Sequence, residues 1–397
     1  MKLKTTPLNT SLKTILNFNF PPLLFPRLFL TVLLILLLIP IIPALAESAR
    51  PAGATTSSVH PIFALPTPYV FVNLSSASAP GFHLLKKYVI VGEGGWDYLA
   101  LEVNSRLLYI THGNSVEILN VDTGIKLPPI TGLKGVHGVT FAPQKGLGYI
   151  SNGRSNTVSV FVLKTYQVVK EIPVSGQNPD AILYDQFSDR LFTFNGRSAD
   201  ATVIDPATDK ILATLPLGGK PEFAVSDNQG TIYVNIEDKS EVVAFDARSL
   251  QIKKRWSIAP GQEPSGLAID LKNQRLFSVC DKILVISDAA KGQVVATVPI
   301  GRGPDAVRYD PKLALVFSSN GDGTLTIVQQ IGPDKYAVLE TVKTAPRART
   351  MELDPKTHHL FLATAEFGPA PAPTKDQPHP HPQVIPGSFM VLEFGNL

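Results

Sequence analysis

The sequence predicts an all-β protein, and three of its features lead to that fold class. Charged residues make up only 17% of the 397 residues, whereas glycine (29) and proline (34) are frequent. Such a composition favours many short strands joined by turns. From residue 84 onwards a unit of about 42 residues recurs, and each copy holds four apolar segments separated by turn residues. We therefore predict a seven-bladed β-propeller of four-stranded antiparallel blades.

The repeat is clearest at four Gly/Pro turns, each followed by a short alternating strand that ends at an aspartate. Equivalent positions of the seven units lie 40 to 44 residues apart and are Asp97, His137, Asp180, Glu222, Ser265, Asp305 and Arg349. A second series marks the end of the next apolar strand and comprises His112, Asn152, Asn195, Asn235, Cys280, Asn320 and Thr364. The offset between the two series is 15 residues in six units and 13 in the fourth. A chance similarity would not keep that offset, so we count seven units.

Within one unit the sequence predicts four strands, which in the third unit span residues 181–184, 190–194, 201–204 and 211–215. Each blade would have two apolar faces that only neighbouring blades can cover, so the array must close into a ring. The seventh unit holds three strands, at 351–353, 359–363 and 388–394, and a surplus strand at 86–91 precedes the first unit. We predict that this N-terminal strand pairs with the last blade and closes the ring.

Residues 1–46 have the layout of an export signal. Four basic residues, Lys2, Lys4, Lys13 and Arg27, lie before an apolar run at 28–42, and small residues at 44 and 46 would allow cleavage before Glu47. The run is shorter than the roughly 20 residues that a membrane-spanning helix needs. An uncleaved anchor is the alternative, and only that case would place the protein at a membrane. We predict a periplasmic or secreted protein.

The predicted domains follow from these boundaries. Residues 1–46 are the signal peptide, residues 47–83 an Ala/Ser/Thr/Pro-rich disordered tether, and residues 84–397 the propeller, with a Pro/His-rich loop at 368–387. The leader carries four of the 36 basic residues and no acidic one, against 33 acidic residues in all. The remainder is close to neutral, so nucleic acid is not an expected partner. Cys280 is the only cysteine, and we predict that it is a small buried hydrophobe.

Three segments carry a resemblance to a known family: Gly-Tyr-Ile-Ser-Asn at 148–152, Thr-Ile-Tyr-Val-Asn at 231–235 and Val-Ile-Asp-Pro-Ala-Thr-Asp-Lys at 203–210. Together with the Gly-x-x-Pro-Asp turn they resemble the YVTN-type β-propeller repeat of YncE-like bacterial proteins, over roughly residues 86 to 395. The resemblance implies an exported seven-bladed propeller that binds partners or ligands. The sequence departs from the family pattern where Trp96, His137, Arg347 and Arg349 replace the usual Pro-Asp.

The innermost strands of a propeller line its central channel, so the residues at their starts should converge around one mouth. We predict a ligand-binding site at this channel mouth, formed by Trp96, Asp97, His137, Asp180, Glu222, Asp305 and Arg349. Mixed acids with histidine and arginine could hold a small polar molecule or a cation. The alternative is that these side chains accept hydrogen bonds from turn amides between blades. The asparagines of the second series have a structural interpretation, because three of them form the Asn-Gly dipeptide of hairpin turns.

The sequence holds no Gly-x-Ser-x-Gly, His-Glu-x-x-His, Gly-x-x-x-x-Gly-Lys or Cys-x-x-Cys-His motif. His379 and His381 could give two imidazoles to a metal, but no third ligand is near in sequence, and a partner-binding loop is an equal alternative. We predict no catalytic residue, metal or cofactor. The function that we predict is a monomeric, non-catalytic scaffold of the bacterial cell envelope that binds a small polar ligand or an envelope protein.

The alternative function is a metal-assisted, lactonase-type hydrolase at the same mouth. That chemistry needs convergent oxygen ligands for a divalent ion, which Asp97, Asp180, Glu222 and Asp305 could supply.

Overall fold

The structure, a computed structural model, describes residues 81–90, 92, 94–372 and 382–396. The predicted signal peptide, the tether up to residue 80, and both His379 and His381 lie outside the described residues. Among the residues that are described, no helix has the length and apolar character needed to cross a membrane.

The described residues form 28 strands, arranged as seven four-stranded antiparallel sheets in a ring, which confirms the predicted seven-bladed β-propeller. The first strand of the chain is β1 (His83–Val89). Blade 1 contains β2 (Trp96–Glu102), β3 (Leu107–His112), β4 (Ser115–Asn120) and β5 (Lys126–Ile130). Blade 2 contains β6 (Val136–Ala142), β7 (Leu147–Asn152), β8 (Thr157–Val162) and β9 (Val168–Pro173). Blade 3 contains β10 (Pro179–Asp185), β11 (Arg190–Asn195), β12 (Asp200–Asp205) and β13 (Lys210–Pro216).

The remaining blades follow the same plan. Blade 4 contains β14 (Pro221–Ser226), β15 (Thr231–Ile236), β16 (Glu241–Asp246) and β17 (Ile252–Ser257). Blade 5 contains β18 (Leu267–Asp270), β19 (Arg275–Cys280), β20 (Ile283–Asp288) and β21 (Gln293–Pro299). Blade 6 contains β22 (Pro304–Asp310), β23 (Leu315–Asn320), β24 (Thr324–Gly332) and β25 (Lys335–Lys343). Blade 7 contains β26 (Thr350–Leu353), β27 (Leu360–Thr364) and β28 (Met390–Gly395), together with β1. Two short 3₁₀ helices, Pro143–Lys145 and Glu237–Lys239, lie in turns.

The core lies between neighbouring blades, because each sheet covers the apolar face of the next. Between blades 3 and 4, for example, Phe192 and Phe194 pack in one cluster with Val243 and Phe245, and all four are fully buried. At about 25 cal/mol per Å² of apolar surface, such contacts are the main stabilising contribution. The covering of both faces by neighbours is what makes the ring the stable arrangement.

Closure of the ring occurs in blade 7, as predicted. Strand β1 pairs with β28, with Lys87 opposite Leu392, so the sheet order is β1-β28-β27-β26. The hydroxyl of Tyr88 donates a hydrogen bond to Oε2 of Glu393 at 2.6 Å. The N-terminal strand thus supplies the strand that the last unit lacks. It begins at His83, one residue before the predicted boundary of the propeller.

A buried ion pair ties blade 7 to blade 1. Arg106, in the β2–β3 turn, donates two hydrogen bonds to the carboxylate of Asp354, one of them at 2.8 Å. Asp354 is the aspartate at which the innermost strand of blade 7 ends, and its carboxylate also accepts the backbone N–H of Lys356 at 2.9 Å. The repeated turn aspartate therefore caps its own turn and contacts the neighbouring blade, as Asp310 also does through His358.

Candidate functional site

The seven anchor positions lie at the starts of the innermost strands, where the first strand pair of a blade is irregular. In blade 1 the pairing register shifts between Trp96 and Leu99, and blades 2, 3, 4 and 6 have shifts at their corresponding positions. Such bulges redirect a side chain relative to a regular ladder. Asp97 and His137 lie within these irregular segments, and their side chains meet at one mouth of the ring.

The closest group at the mouth comes from blades 1, 2 and 3. Nδ1 of His137 lies 2.6 Å from Oδ2 of Asp97 and 3.7 Å from Oδ1 of Asp180. Burial alone would lower the pKa of His137, but the hydrogen bond with Asp97 and the nearby charge of Asp180 together raise it to about 9. The imidazole is therefore protonated at neutral pH and bridges the two carboxylates.

Three acids of the mouth keep their protons to unusually high pH. Burial, followed by the negative charge of Asp97, raises the pKa of Asp180 to about 7. Burial and the charge of Asp180 raise the pKa of Glu222 to about 8, and burial also raises the pKa of Asp305 to about 6 against the opposing effect of Arg349. Because Asp180, Glu222 and Asp305 share one poorly solvated space, they cannot all ionise freely, and the mouth exchanges protons near neutral pH.

Two further ion pairs complete the ring of anchors. Nζ of Lys220 lies 2.6 Å from Oε1 of Glu222 and also contacts Glu237. Nε of Arg349 lies 3.2 Å from Oδ2 of Asp305. The mouth is thus a mixed ring of acids and bases rather than a ring of acids, and each of its four carboxyl groups already has a cationic neighbour.

Trp96 lies at the rim of the mouth, but it is not a free stacking surface. Its ring packs against Phe389 at a centroid distance of 5.2 Å and against Phe367 at 6.3 Å. One edge still lines two cavities at this end of the ring, of about 440 and 550 Å³. Both cavities are large enough for a small ligand.

Below the anchors the channel narrows sharply. The rings of Tyr98 and Phe223 stack across it at 5.4 Å, and the two voids beside them measure only about 20 and 100 Å³. Burial, then the charges of Asp180 and Asp97, raise the pKa of Tyr98 well above its usual value. A ligand at this end would therefore bind in the mouth, on top of a neutral aromatic floor.

Several mouth residues were not among the sequence predictions. Lys220 and Tyr98 each lie next to or near an anchor in sequence, and Arg154 and Arg197 lie on loops that line the 440 Å³ cavity. Lys220 follows Gly219 in the repeated turn, so the repeat could have placed it near the mouth. Its contact with Glu237 could not be predicted, because that contact depends on how the turn folds. The arginines come from hairpin loops whose direction the repeat does not specify.

Other candidate positions have structural roles. Three buried asparagines donate side-chain hydrogen bonds within their blades: Asn152 to Ser159, Asn195 to Thr202 and Asn320 to Thr326, at 2.9 to 3.0 Å. Asn235 donates instead to backbone carbonyls of blade 5. Ser265, the anchor of blade 5, donates to the backbone carbonyl of Pro304. Cys280 is buried, and burial raises the pKa of its thiol to about 12, which makes it unreactive.

The histidine and aspartates of the mouth are the group with metal-ligand chemistry in the described part of the chain. The potential donor atoms of Asp97, His137 and Asp180 lie within 4.8 Å of one another. Because the imidazole is protonated at neutral pH, a cation would have to displace that proton before His137 could act as a ligand.

Comparisons with known proteins address the fold. No family model matches the chain, and no curated protein matches it. Among solved structures it is similar to a chain of one described as "Crystal Structure of Mitotic Checkpoint Complex", with a TM-score of 0.60 and 13% sequence identity, over 86% of this chain and 99% of that chain. At that identity the similarity concerns the fold alone, and it supports the seven-bladed β-propeller.

Proposed function

We propose that this propeller is a non-catalytic binding protein that holds a small polar ligand or a segment of a partner protein at the channel mouth. The observation that carries the proposal is the convergence of anchor side chains from separate blades on one mouth, next to cavities of about 440 and 550 Å³. If the anchor side chains served only to stabilise their turns, His137 and Arg349 would not need to differ from the residues at the same position in the other blades.

The charge of the mouth indicates the kind of ligand. Asp97, Asp180, Glu222 and Asp305 meet the cations His137, Lys220 and Arg349 at the mouth, and Arg154, Arg197 and Arg347 add positive charge to the lining of the two cavities. The pKa values of Asp180, Glu222 and Asp305 are raised, so these three acids hold protons to higher pH than free carboxyl groups do. A ligand with an ammonium or guanidinium group would replace a bound proton and pair with the carboxylates. Because the arginines of the cavity lining can pair with a carboxylate in the same way, we favour a zwitterionic molecule such as an amino acid, or a segment of a protein partner that carries both charges.

A thermal-shift screen of amino acids, short basic peptides and polyamines tests this proposal. We expect a ligand that raises the Tm of the wild-type protein, and we expect the double variant H137A/R349A to lose that effect while its own Tm stays close to that of the wild type. S265A is the matched control, because Ser265 occupies the same ring position but contacts backbone carbonyls. Retained binding in H137A/R349A, or a large loss of stability, would show that these residues are structural.

A metal-assisted hydrolase of the lactonase type is the second candidate. Only the proximity of the donor atoms of Asp97, His137 and Asp180 favours it. The contacts of Glu222 with Lys220 and of Asp305 with Arg349 argue against a four-carboxylate metal site. Metal analysis of the purified protein distinguishes the candidates, since a stoichiometric divalent ion together with lactone turnover would support the hydrolase.

The family and the location belong to the same proposal. The repeat resembles that of YncE-like propellers, and the leader resembles an export signal, which supports a monomeric protein of the bacterial envelope. Cell fractionation and N-terminal sequencing test the location. A mature N-terminus at Glu47 in the periplasm or medium is the expected result, whereas recovery of the full leader in the membrane fraction would mean that the protein is anchored.

A further inference from the structure

A single hydrogen bond recurs in all seven blades at the end of the outermost strand. The residue after that strand, or in blade 1 the third residue after it, donates its backbone N–H to the carbonyl of the residue that precedes the third strand, for example from Leu217 to Ala199 at 3.0 Å and from Thr344 to Gly323 at 2.8 Å. The donors, in blade order from 1 to 7, are Leu133, Val174, Leu217, Ile258, Ile300, Thr344 and Ile90. The bond therefore identifies seven structurally equivalent residues.

Six of these seven residues are large and aliphatic, and they pack into the cleft between their own blade and the next one. Leu217 and Ile258 are fully buried, and Ile90 is 1% exposed. Blade 6 has Thr344 instead. The hydroxyl of Thr344 is buried without a hydrogen-bond partner among the described residues, an arrangement that costs about 1–3 kcal/mol.

The cleft between blades 6 and 7 is correspondingly open. A cavity of about 630 Å³, larger than either cavity at the channel mouth, lies beside Thr344. Its floor is apolar and is formed by Met390, Leu392 and Phe394 of β28, with Leu84 of β1 at one side. The segment that links β27 to β28 contributes Phe367 and Pro382 in place of the short hairpin of the other blades. Two departures from the repeat thus open the same cleft.

The rim of this cleft carries an excess of positive charge. Lys87, Lys343 and Arg347 line it, against one acid, Glu366. None of these four side chains forms an ion pair with another described residue. The guanidinium of Arg347 lies over the ring of Phe367 at 5.3 Å, at the boundary between the basic rim and the apolar floor.

From the missing aliphatic residue, the apolar floor and the basic rim, we propose that the cleft between blades 6 and 7 is a second binding site, for an amphipathic molecule with an alkyl chain and one anionic head group. The volume is in the range of small-molecule sites. The alkyl chain would cover Leu392, Phe394 and Met390, and a carboxylate would lie among Lys87, Lys343 and Arg347. The site shares Arg347 and Phe367 with the 550 Å³ cavity at the channel mouth, but it does not depend on the function proposed there.

Calorimetric titration of the purified protein with decanoate tests the proposal. We expect one binding site per chain. Thr344→Ile restores the residue of the other blades and keeps the β-branched shape, so it should raise Tm while weakening decanoate binding several-fold. Thr344→Phe fills more of the cavity and should weaken binding about tenfold or more. Thr344→Ser keeps the opening and should bind as the wild type does.

A second pair of variants tests the rim. Lys87→Gln combined with Lys343→Gln should weaken decanoate binding about tenfold and leave binding of the neutral 1-decanol unchanged. Lys210→Gln combined with Lys312→Gln removes the same charge from exposed positions in blades 3 and 6 that do not line the cleft, and should have no effect. Absence of decanoate binding, or equal binding by the wild type, Thr344→Ile and Thr344→Phe, would overturn the proposal. Loss of decanol binding in the rim variant would overturn the assignment of the anionic head group.

Discussion

The ion pair between Arg106 and Asp354 offers a sharp test of how the ring closes, because it joins the first and last blades. The Asp354 side chain is only 1% exposed, and that of Arg106 10%. Burial alone would raise the pKa of Asp354, but the hydrogen bonds from Arg106 and Thr357 lower it from 3.8 to about 2. A folded-state pKa below the unfolded value means that the pairing stabilises the protein above pH 3.8 and that this contribution is lost as pH falls towards 2.

The magnitude follows from that difference in pKa. It corresponds to about 2 kcal/mol of stability at neutral pH. Arg106→Met keeps much of the side-chain volume but leaves the buried carboxylate of Asp354 without a cation, and removing one partner of a buried pair costs about 3–5 kcal/mol. We expect a loss in this range at pH 7, measured by urea unfolding. The loss should shrink as pH falls to about 4, where the unpaired carboxyl group takes up a proton.

Two further variants complete the experiment. The double variant R106M/D354N has no buried charge and should recover most of the stability that R106M loses. Lys170→Met is the control and removes the cation of a surface ion pair with Asp209, in which the Lys170 side chain is 50% exposed. This variant should change the free energy of unfolding by about 0–1 kcal/mol. A loss below about 1 kcal/mol in R106M, or a loss that does not depend on pH, would refute the role of the pair in closing the ring.

Three other outcomes are expected. Asp180→Asn should raise stability by about 4 kcal/mol at pH 8 and leave it nearly unchanged at pH 4, because a folded-state pKa of about 7 makes the wild-type carboxyl group costly as pH rises from 3.8 through 7. Thermal unfolding at the two pH values checks this, and equal Tm differences would contradict it. Tyr88→Phe removes the hydrogen bond to Glu393 in the closing strand and should cost about 1–2 kcal/mol by urea unfolding, whereas an unchanged midpoint would mean that the bond contributes nothing. Gly148→Ala would place a Cβ 2.2 Å from Cζ of Phe161 and should cost about 1–3 kcal/mol, so full stability in that variant would show that the ring of Phe161 moves aside freely.

The blade count and the strands could be predicted from sequence because both are local and repeated. In blade 3 each predicted strand lies inside the observed one, from β10 (Pro179–Asp185) to β13 (Lys210–Pro216). Turn aspartates and Gly/Pro turns set the boundaries, and their chemistry does not depend on distant residues. The closing strand could also be predicted. The seventh unit has three strands and one extra strand precedes the first unit, so the extra strand has few possible partners other than the last blade.

The chemistry of the mouth could be predicted only in part. The anchors Asp97, His137 and Asp180 meet as expected, because they occupy the same position in adjacent blades. The pairing of Glu222 with Lys220 and the packing of Trp96 on Phe389 were not predicted. These contacts depend on the side-chain direction that each bulge imposes and, for Trp96, on a residue of blade 7 that lies almost 300 positions away in the chain. Sequence spacing carries no information about either.

The departures from the repeat are where function can be sought in such a protein. Six blades show that an aliphatic residue after the outermost strand is compatible with the backbone and stabilises the inter-blade cleft, so Thr344 is not required by the fold. The same argument applies to His137 and Arg349, where other blades have an acid or a serine. A substitution that the fold does not need, and that leaves a buried hydroxyl unpaired, persists at a cost in stability. If Thr344→Ile is more stable than the wild type and binds every ligand of the protein equally well, the loss of stability caused by Thr344 serves no function. Departures from the repeat would then not mark functional sites in this chain.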